Sequence, residues 1–279
     1  MELASVPTLT MNDGFEIPQL GLGVFQIDRS ETAAPVRTAL QAGYRLVDTA
    51  QGYNNEEGVG EALAGGVLPA DQVFVTTKLT NSEHGRAKTM AAFDESMRKL
   101  RLDVLDLFLI HWPLPMFDQY VETWKAFEEL RKTGRVRSIG VSNFSVRHLQ
   151  RLIDETDVVP SVNQVELHPH FPQDDLRAFH AEHGILTEAW APLGQGRGLL
   201  EDPVLADLGN AKGKSPAQIV LRWHVQLGNV AIPKSVTPSR IQENIDVFDF
   251  SLDDQEMELI SGMATGQRLG PDPEFFDMR

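Results

Sequence analysis

The chain has 279 residues, of which 42% are hydrophobic and 23% charged, the proportions of a soluble protein with a sizeable core. Its formal net charge of −15 argues against nucleic-acid and anionic-membrane partners, because no basic surface dominates. The absence of cysteine excludes disulfides, thiolate nucleophiles and cysteine-ligated metals. The start, from Met1 to Pro7, lacks the basic and apolar regions of a signal peptide, and no window approaches the roughly 20 apolar residues that span a bilayer. We therefore expect a cytoplasmic protein.

The chain alternates short apolar runs with longer segments of helical periodicity. A hairpin over residues 8–17 comes first, with its turn at Asn12-Asp13-Gly14. The predicted strands then lie near residues 20–23, 45–48, 73–78, 105–110, 136–141, 161–166, 185–189 and 229–232. The predicted helices lie near residues 31–42, 56–65, 86–100, 118–133, 145–154, 174–183, 215–227 and 238–245.

Eight strands, each followed by a helix, predict an α/β fold of the (β/α)8 TIM barrel type. An open doubly wound sheet is the alternative. The N-terminal β-hairpin, extra helices after Gly194 and near residues 253–262, and a C-terminal tail lie outside the eightfold pattern. The apolar pair Phe275-Phe276 predicts that this tail docks against the barrel. No Pro-, Gly- or Ser-rich break divides the chain, so we predict one domain over residues 1–279.

Polar residues stand at the predicted end of strand after strand. They are Asp48, Lys78, His111, Ser142-Asn143, Gln164 with Glu166, Glu188 with Trp190, and Lys234-Ser235. Catalytic groups of a barrel gather at the C-terminal ends of its strands. A lysine that ends a buried strand also requires a nearby anion, and Asp48 is the candidate. Each residue alone could be a satisfied polar group at the sheet edge, but together they predict a site.

Several ordered motifs carry a family resemblance. They are Asp48-Thr49-Ala50-x-x-Tyr53, Thr77-Lys78, Ile110-His111-Trp112-Pro113, Gly140-Val141-Ser142-Asn143-Phe144, Asn163-Gln164-Val165-Glu166-Leu167-His168-Pro169 and Ile232-Pro233-Lys234-Ser235. From about Leu9 to Phe250 the chain closely resembles the aldo-keto reductases. The run from Trp190 to Gly196 is most similar to their bacterial 2,5-diketo-D-gluconate reductase group. The resemblance implies a (β/α)8 barrel that reduces an aldehyde or ketone to an alcohol with NADPH.

The resemblance also implies four catalytic residues, Asp48, Tyr53, Lys78 and His111. Tyr53 would be the general acid, and the Lys78 ammonium would lower the pKa of its phenol from about 10. Asp48 would keep Lys78 charged and oriented. His111 would hydrogen-bond the substrate oxygen and, if protonated, assist proton transfer.

The implied cofactor residues follow the path of an extended NADPH molecule. Ser142, Asn143 and Gln164 would bind the nicotinamide carboxamide, Trp190 would stack on the ring, and Leu193 and Gln195 would lie along the pyrophosphate. Lys234, Ser235 and Arg240 would hold the adenosine 2′-phosphate, and Glu243 and Asn244 would meet the adenine. Two cations at one end favour NADPH over NADH, because the additional phosphate requires local neutralisation.

The substrate is a small carbonyl compound whose identity the sequence leaves open. We expect the pocket wall to include Phe25, Leu79, Thr80 and Trp112. Thr80 stands where many relatives have tryptophan, and Gln51-Gly52 also departs from the small or apolar residues common before the catalytic tyrosine. Diketo sugar acids, methylglyoxal-like dicarbonyls and aromatic aldehydes remain candidates, as does alcohol oxidation in the reverse direction.

Two other functions compete with this prediction. Some relatives bind NADPH as regulatory or structural proteins, and barrel glycosidases use paired carboxylates, for which Asp48, Glu166 and Glu188 are available. The glycine spacings do not fit a Rossmann site. The histidines of His168-Pro169-His170 and of His180 to His183 lack a zinc spacing, so we expect no metal. We also expect a monomer.

Overall fold

The computed structural model describes residues 6–278 and contains one barrel of eight parallel strands. After the hairpin of β1 (Thr8–Thr10) and β2 (Glu16–Pro18), the barrel strands are β3 (Leu22–Gly23), β4 (Leu46–Asp48), β5 (Phe74–Leu79), β6 (Leu105–Ile110), β7 (Val136–Ser142), β8 (Val162–Glu166), β9 (Leu186–Trp190) and β10 (Val230–Ala231). Each strand pairs with its chain neighbours in the order of the sequence. All eight strands overlap their predicted ranges.

The sheet closes on itself between its first and last strands. Leu20 and Gly23 form parallel bridges with Ala231 and Lys234, respectively. The Gly21 N–H donates to the Ala231 carbonyl at 2.9 Å. Closure confirms the (β/α)8 barrel and shows that the open sheet was the wrong alternative, because an open sheet would leave both edge strands unpaired.

Ten α-helices occur within residues 6–278. They are α1 (Ala33–Ala42), α2 (Glu56–Ala64), α3 (Arg86–Leu100), α4 (Tyr120–Lys132), α5 (Val146–Glu155), α6 (Asp174–His183), α7 (Pro203–Lys212), α8 (Pro216–Gln226), α9 (Pro238–Ile245) and α10 (Asp254–Ser261). Helices α7 and α10 are the two predicted extra helices. None of the ten is both long and apolar enough to cross a membrane.

Two apolar layers hold the barrel together. The larger layer fills the space between strands and helices and contains Trp124, Phe127 and Trp223, all fully buried. The smaller cluster lies inside the barrel, and there Met11 and Ile17 from the hairpin pack with strand residues such as Leu46, the first residue of β4. The hairpin thus packs on the apolar interior of the barrel, and the polar residues at the strand ends lie at the C-terminal rim.

Candidate active site

A buried ion pair lies at the centre of the C-terminal rim. Lys78 Nζ is 2.7 Å and 2.8 Å from the two carboxylate oxygens of Asp48 and 2.9 Å from the Thr49 carbonyl oxygen. Neither side chain is more than 2% exposed. Burial lowers the pKa of Lys78, but the charge and hydrogen bond of Asp48, together with Tyr53 and Glu188, outweigh this effect and raise the pKa above its ordinary value. Lys78 is therefore an ammonium, with the anion that its position in a buried strand required.

Tyr53 lies beside this pair, on a single 3-10 turn that follows β4. Its phenolic oxygen is 3.4 Å from Lys78 Nζ, and its ring packs against Phe25 and His111 with centroid distances of 5.0 Å and 5.7 Å. Burial raises the pKa of Tyr53 above 10, and the opposing charge of Lys78 does not reverse the shift. Lys78 lowers the pKa of Tyr53 as expected, but burial outweighs its contribution. The phenol keeps its proton at neutral pH, as a proton donor must.

His111 follows β6 on the other side of Tyr53. Burial, together with the positive charge of Lys78, lowers the pKa of His111 to about 3. The imidazole is consequently neutral at physiological pH. The condition under which His111 would assist proton transfer, a protonated ring, is therefore not met, and the neutral ring can donate one hydrogen bond.

Gln51 fixes the turn that carries Tyr53, a role that we did not predict from the sequence. Its Oε1 accepts a bond from the Thr80 N–H at 2.9 Å. Its Nε2 donates to the Ala92 carbonyl at 2.7 Å and to the Ser96 hydroxyl at 2.8 Å. Gln51 thereby joins the Tyr53 turn to the end of β5 and to α3. The only sequence signal was its departure from the small or apolar residues of relatives.

The predicted nicotinamide residues form a connected group next to the ion pair. The Trp190 indole N–H donates to Asn143 Oδ1 at 2.8 Å, and Asn143 Nδ2 donates to the His111 carbonyl at 3.0 Å. The Ser142 hydroxyl donates to the Gln164 carbonyl at 2.9 Å. Asn143 adopts a left-handed conformation, with φ of 63°. These bonds fix the half-buried Trp190 ring at the rim, where it can stack on a planar ring.

Gln164 connects this group to the ion pair and to a third carboxyl group. Its Nε2 donates to Asp48 Oδ2 and to Glu188 Oε2, both at 2.8 Å. Glu188 is fully buried, and its Oε1 has no hydrogen-bond partner within residues 6–278. Burial and the nearby charge of Asp48 raise the pKa of Glu188 to about 8. Glu188 is accordingly a neutral carboxylic acid at pH 7.

The predicted phosphate residues lie at the end of β10 and on the first turn of α9. Lys234 and Arg240 are exposed and Ser235 is largely buried. Neither cation has a carboxylate within ion-pair distance in the part of the chain that the structure describes. Unpaired cations next to a helix N-terminus fit a phosphate group.

The other residues predicted to bind the cofactor differ in how far they are exposed to solvent. Leu193 is half-buried, and Gln195 is exposed on the glycine-rich turns that follow β9. Glu243 accepts a bond from the Ser215 hydroxyl, and only 5% of Asn244 is exposed. An adenine could therefore meet the edges of these two side chains only. Their assignment stays a prediction.

The mouth of the site is aromatic. Phe25 is 46% exposed, and Trp112 packs against Phe276 of the C-terminal tail with ring centroids 4.3 Å apart. Thr80 is half-buried beside the Tyr53 turn. Leu79, in contrast, does not line the pocket, because its fully buried side chain belongs to the layer between strands and helices. Alternate residues of a strand face opposite sides, so an inward Lys78 turns Leu79 outward.

The C-terminal tail is attached to the rim through Glu166 at the end of β8. Its carboxylate oxygens accept bonds from the Leu269 N–H at 2.5 Å and the Gly270 N–H at 2.8 Å, and one lies 3.0 Å from His168 Nε2. Burial raises the pKa of Glu166, but these bonds outweigh it and hold the pKa below its ordinary value. The acceptor is therefore a carboxylate anion, which binds backbone N–H groups more strongly than a neutral oxygen does.

Further contacts extend this attachment along the tail. Gly270 lies so close to Trp190 that a side chain there would come within 2.6 Å of the indole ring. The Ser145 hydroxyl donates to Glu274 at 2.6 Å, and Phe276 reaches Trp112. Phe275 is 79% exposed. The predicted docking is thus correct for Phe276 and wrong for Phe275.

The histidine pairs noted in the sequence have other partners. His180 lies between Asn163 and Thr187, and His168 contacts Glu166. No group of three or more metal-ligating side chains occurs within residues 6–278.

A tyrosine, a neutral histidine and a buried Lys–Asp pair at the C-terminal rim of a (β/α)8 barrel form the arrangement implied for a carbonyl reductase. The chain belongs to the aldo/keto reductase family, whose model matches residues 19–264. It is therefore an NADP-dependent oxidoreductase that reduces an aldehyde or ketone to an alcohol with NADPH.

Similar proteins match over almost their whole length. An aldo-keto reductase of Mycolicibacterium smegmatis is 55% identical over 97% of this chain and 98% of its own. The methylglyoxal reductase DkgA of Escherichia coli is 51% identical over 98% of this chain and 99% of its own. A crystal structure of a Gox0644 variant in complex with NADPH superposes with a TM-score of 0.94 at 50% identity, covering 98% and 99% of the two chains.

We predict that Glu166→Gln loosens the tail. A glutamine would direct an N–H group at one of two backbone N–H donors, and a hydrogen bond to a charged group contributes ~1.5–3 kcal/mol. Trypsin should then cleave after Arg268 roughly tenfold faster or more, and KM for a carbonyl substrate should rise. Glu258→Gln, on the exposed side of α10, is the matched control. Unchanged cleavage in Glu166→Gln would show that other contacts hold the tail.

We also predict that Glu188→Gln changes the pH dependence of stability. The folded pKa of about 8 exceeds the ordinary 4.5, so the wild type binds a proton on folding and loses stability as pH rises through this interval. The loss is at most about 1.4 kcal/mol per pH unit. The variant should therefore gain stability relative to the wild type from pH 4.5 to about 8 in urea titrations. If the stability of the two proteins changed with pH in the same way, Glu188 would be ionised in the folded protein.

Proposed function

We propose that Tyr53, Lys78, Asp48 and His111 carry out the reduction. The observation that supports this proposal is the buried Lys78 ammonium, which Asp48 holds 3.4 Å from the Tyr53 phenolic oxygen. A proton donor and a cation that stabilises its conjugate base thus meet at one point of the rim. The barrel glycosidase is not favoured, because Asp48 is paired with Lys78 and Glu166 is occupied by the tail, which leaves no free carboxylate of the three.

The protein groups divide the reaction between them. NADPH, when bound, supplies the hydride that forms the new C–H bond at the carbonyl carbon. Tyr53 transfers its phenolic proton to the carbonyl oxygen, and Lys78 stabilises the phenolate that remains. The neutral His111 donates a hydrogen bond to the same oxygen and sets its angle. Because the pKa of Tyr53 lies above 10, its phenolate forms only when the substrate oxygen takes the proton.

The cofactor would extend along the rim from the ion pair to α9. Gln164, Asn143 and Ser142 would bind the carboxamide, and Trp190 would lie against the ring. The residues of the glycine-rich turns, Leu193 and Gln195, would follow the pyrophosphate. Lys234, Ser235 and Arg240 would bind the 2′-phosphate, and Glu243 and Asn244 would border the adenine.

For the substrate we propose a small dicarbonyl compound of the methylglyoxal type. Phe25, Trp112 and Phe276 narrow the mouth with aromatic rings, which suits a short substrate better than a long polar one. A relative at 51% identity is named a methylglyoxal reductase. Thr80 leaves room beside the Tyr53 turn, so a diketo sugar acid is the second substrate to test.

We further propose that the protein acts as a monomer in the cytoplasm. Every residue assigned to the site comes from one chain, and the acidic composition favours a dispersed protein. Analytical ultracentrifugation of the purified protein, with and without NADPH, tests whether it is a monomer.

Tyr53→Phe is the test of the mechanism. The substitution removes the transferable proton but leaves the ring, so NADPH should bind normally while kcat for methylglyoxal falls ~10²–10⁴-fold. NADPH absorbance measures turnover, and NADPH fluorescence measures binding. Tyr120→Phe, which removes a hydroxyl outside the site, is the control and should keep wild-type kcat. More than about a tenth of wild-type kcat in Tyr53→Phe would contradict Tyr53 as the sole acid.

Lys234 and Arg240 test the choice of cofactor. Arg240→Ala, alone and with Lys234→Ala, should weaken NADPH binding by roughly tenfold or more, because each lost charge-assisted bond contributes ~1.5–3 kcal/mol. NADH lacks the 2′-phosphate, and its weaker binding should not change. Lys125→Ala, on the exposed side of α4, is the control for loss of a positive charge. Equal weakening of NADPH and NADH binding would show that the two cations do not bind the 2′-phosphate.

A further inference from the structure

Glu188 is a buried carboxyl group that the proposed mechanism does not use. It lies on β9 directly beside Gln164 of β8, and both side chains point into the barrel. No lysine or arginine forms an ion pair with it in the part of the chain that the structure describes. Only one of its two carboxyl oxygens has a hydrogen-bond partner within residues 6–278, and a buried oxygen without one is costly, so the position of Glu188 calls for an explanation.

The contacts of Gln164 determine which end of its amide faces which way. One atom of the amide lies 2.8 Å from both Asp48 Oδ2 and Glu188 Oε2. Asp48 is ionised and can only accept, so this atom is the nitrogen. The two N–H groups of the amide are then both used, one on each carboxyl group. The amide oxygen is left as the end that can accept a bond from a ligand.

This orientation matters for a carboxamide. The nicotinamide carboxamide carries an NH2 group and a carbonyl oxygen, and each requires the opposite partner. With its nitrogen held by two carboxyl groups, Gln164 offers an oxygen to the NH2 group. Without Glu188, only Asp48 would hold the amide, and one N–H group would be free to turn toward the ligand.

We propose that Glu188 is a positioning residue for NADPH, which together with Asp48 fixes the Gln164 amide with its oxygen toward the nicotinamide carboxamide. This inference rests on the proposed position of the cofactor. The neutral state of Glu188 suits this role, because its oxygen accepts the second N–H group without a second negative charge beside Asp48. Glu188 acts through Gln164 and touches neither the substrate nor the reacting atoms.

The test compares NADPH with adenosine 2′,5′-bisphosphate, a ligand that has the phosphate end of the cofactor but no nicotinamide. Glu188→Leu removes the acceptor and should raise the Kd for NADPH about fivefold to tenfold, the equivalent of one hydrogen bond. The Kd for the bisphosphate should not change. Glu188→Gln keeps one oxygen for Gln164 and should bind NADPH within about twofold of the wild type, since no hydrogen bond to the ligand is lost.

Two controls separate positioning from a loss of structure. Thr187→Val alters the neighbouring residue of β9, whose hydroxyl contacts His180 outside the barrel interior, and should leave NADPH binding unchanged. In a Gln164→Ala background, Glu188→Leu should have no further effect on NADPH, because its partner is already absent.

Each outcome bears on the proposal. Wild-type NADPH affinity in Glu188→Leu, equal weakening of both ligands, or a further loss in the Gln164→Ala background would overturn it. A wild-type protein that bound neither ligand would instead overturn the proposed function. A selective loss for NADPH that Glu188→Gln restores would establish the positioning role.

Discussion

The ion pair of Lys78 and Asp48 is the interaction on which the rest of the site depends. Burying two charges costs several kcal/mol each, and only close geometry and additional hydrogen bonds offset this cost. Here the Lys78 ammonium reaches Asp48, the Thr49 carbonyl and the Tyr53 hydroxyl, and Asp48 also accepts from Gln164. Loss of either partner would leave the other uncompensated. The pair therefore fixes the positions of β4, β5 and β8 relative to one another at the rim.

The pair also contributes to the charge state of its neighbours. Burial lowers the pKa of His111 and the Lys78 ammonium adds to this effect, so the imidazole is neutral. Burial raises the pKa of Glu188 and the charge of Asp48 adds to this effect, so Glu188 keeps its proton at pH 7. The immediate surroundings of Tyr53 thus contain one ammonium and one carboxylate, those of Lys78 and Asp48, together with neutral donors and acceptors. A neutral carbonyl compound can enter such a site without bringing an unpaired charge into it.

Much of this arrangement could be predicted from the sequence, for definite reasons. Strands such as 105–110 are mainly apolar, with Asp106 as the one polar residue of that strand, and they alternate with amphipathic helices, a pattern that can be read from the sequence alone. The residues at strand ends lie together because parallel strands deliver their C-terminal ends to one rim, and their roles stay a prediction. Leu79 was wrong although the signal was present, since strict alternation places it opposite Lys78. The net pKa shift of Tyr53 depends on burial, which residue spacing does not reveal.

The contacts of the tail lay beyond prediction for a different reason. The bond between Glu166 and Gly270 joins residues 104 positions apart, and no local pattern encodes such a pairing. Yet this contact connects the proposed cofactor site with the mouth of the pocket. Gly270 packs on Trp190, the residue proposed for the nicotinamide, and six residues later Phe276 reaches Trp112 at the mouth. The chemistry is held by rigid strands, whereas the mouth is completed by a segment attached through hydrogen bonds. If the proposed pocket is correct, changes in the tail would alter substrate choice without disturbing the ion pair beneath it.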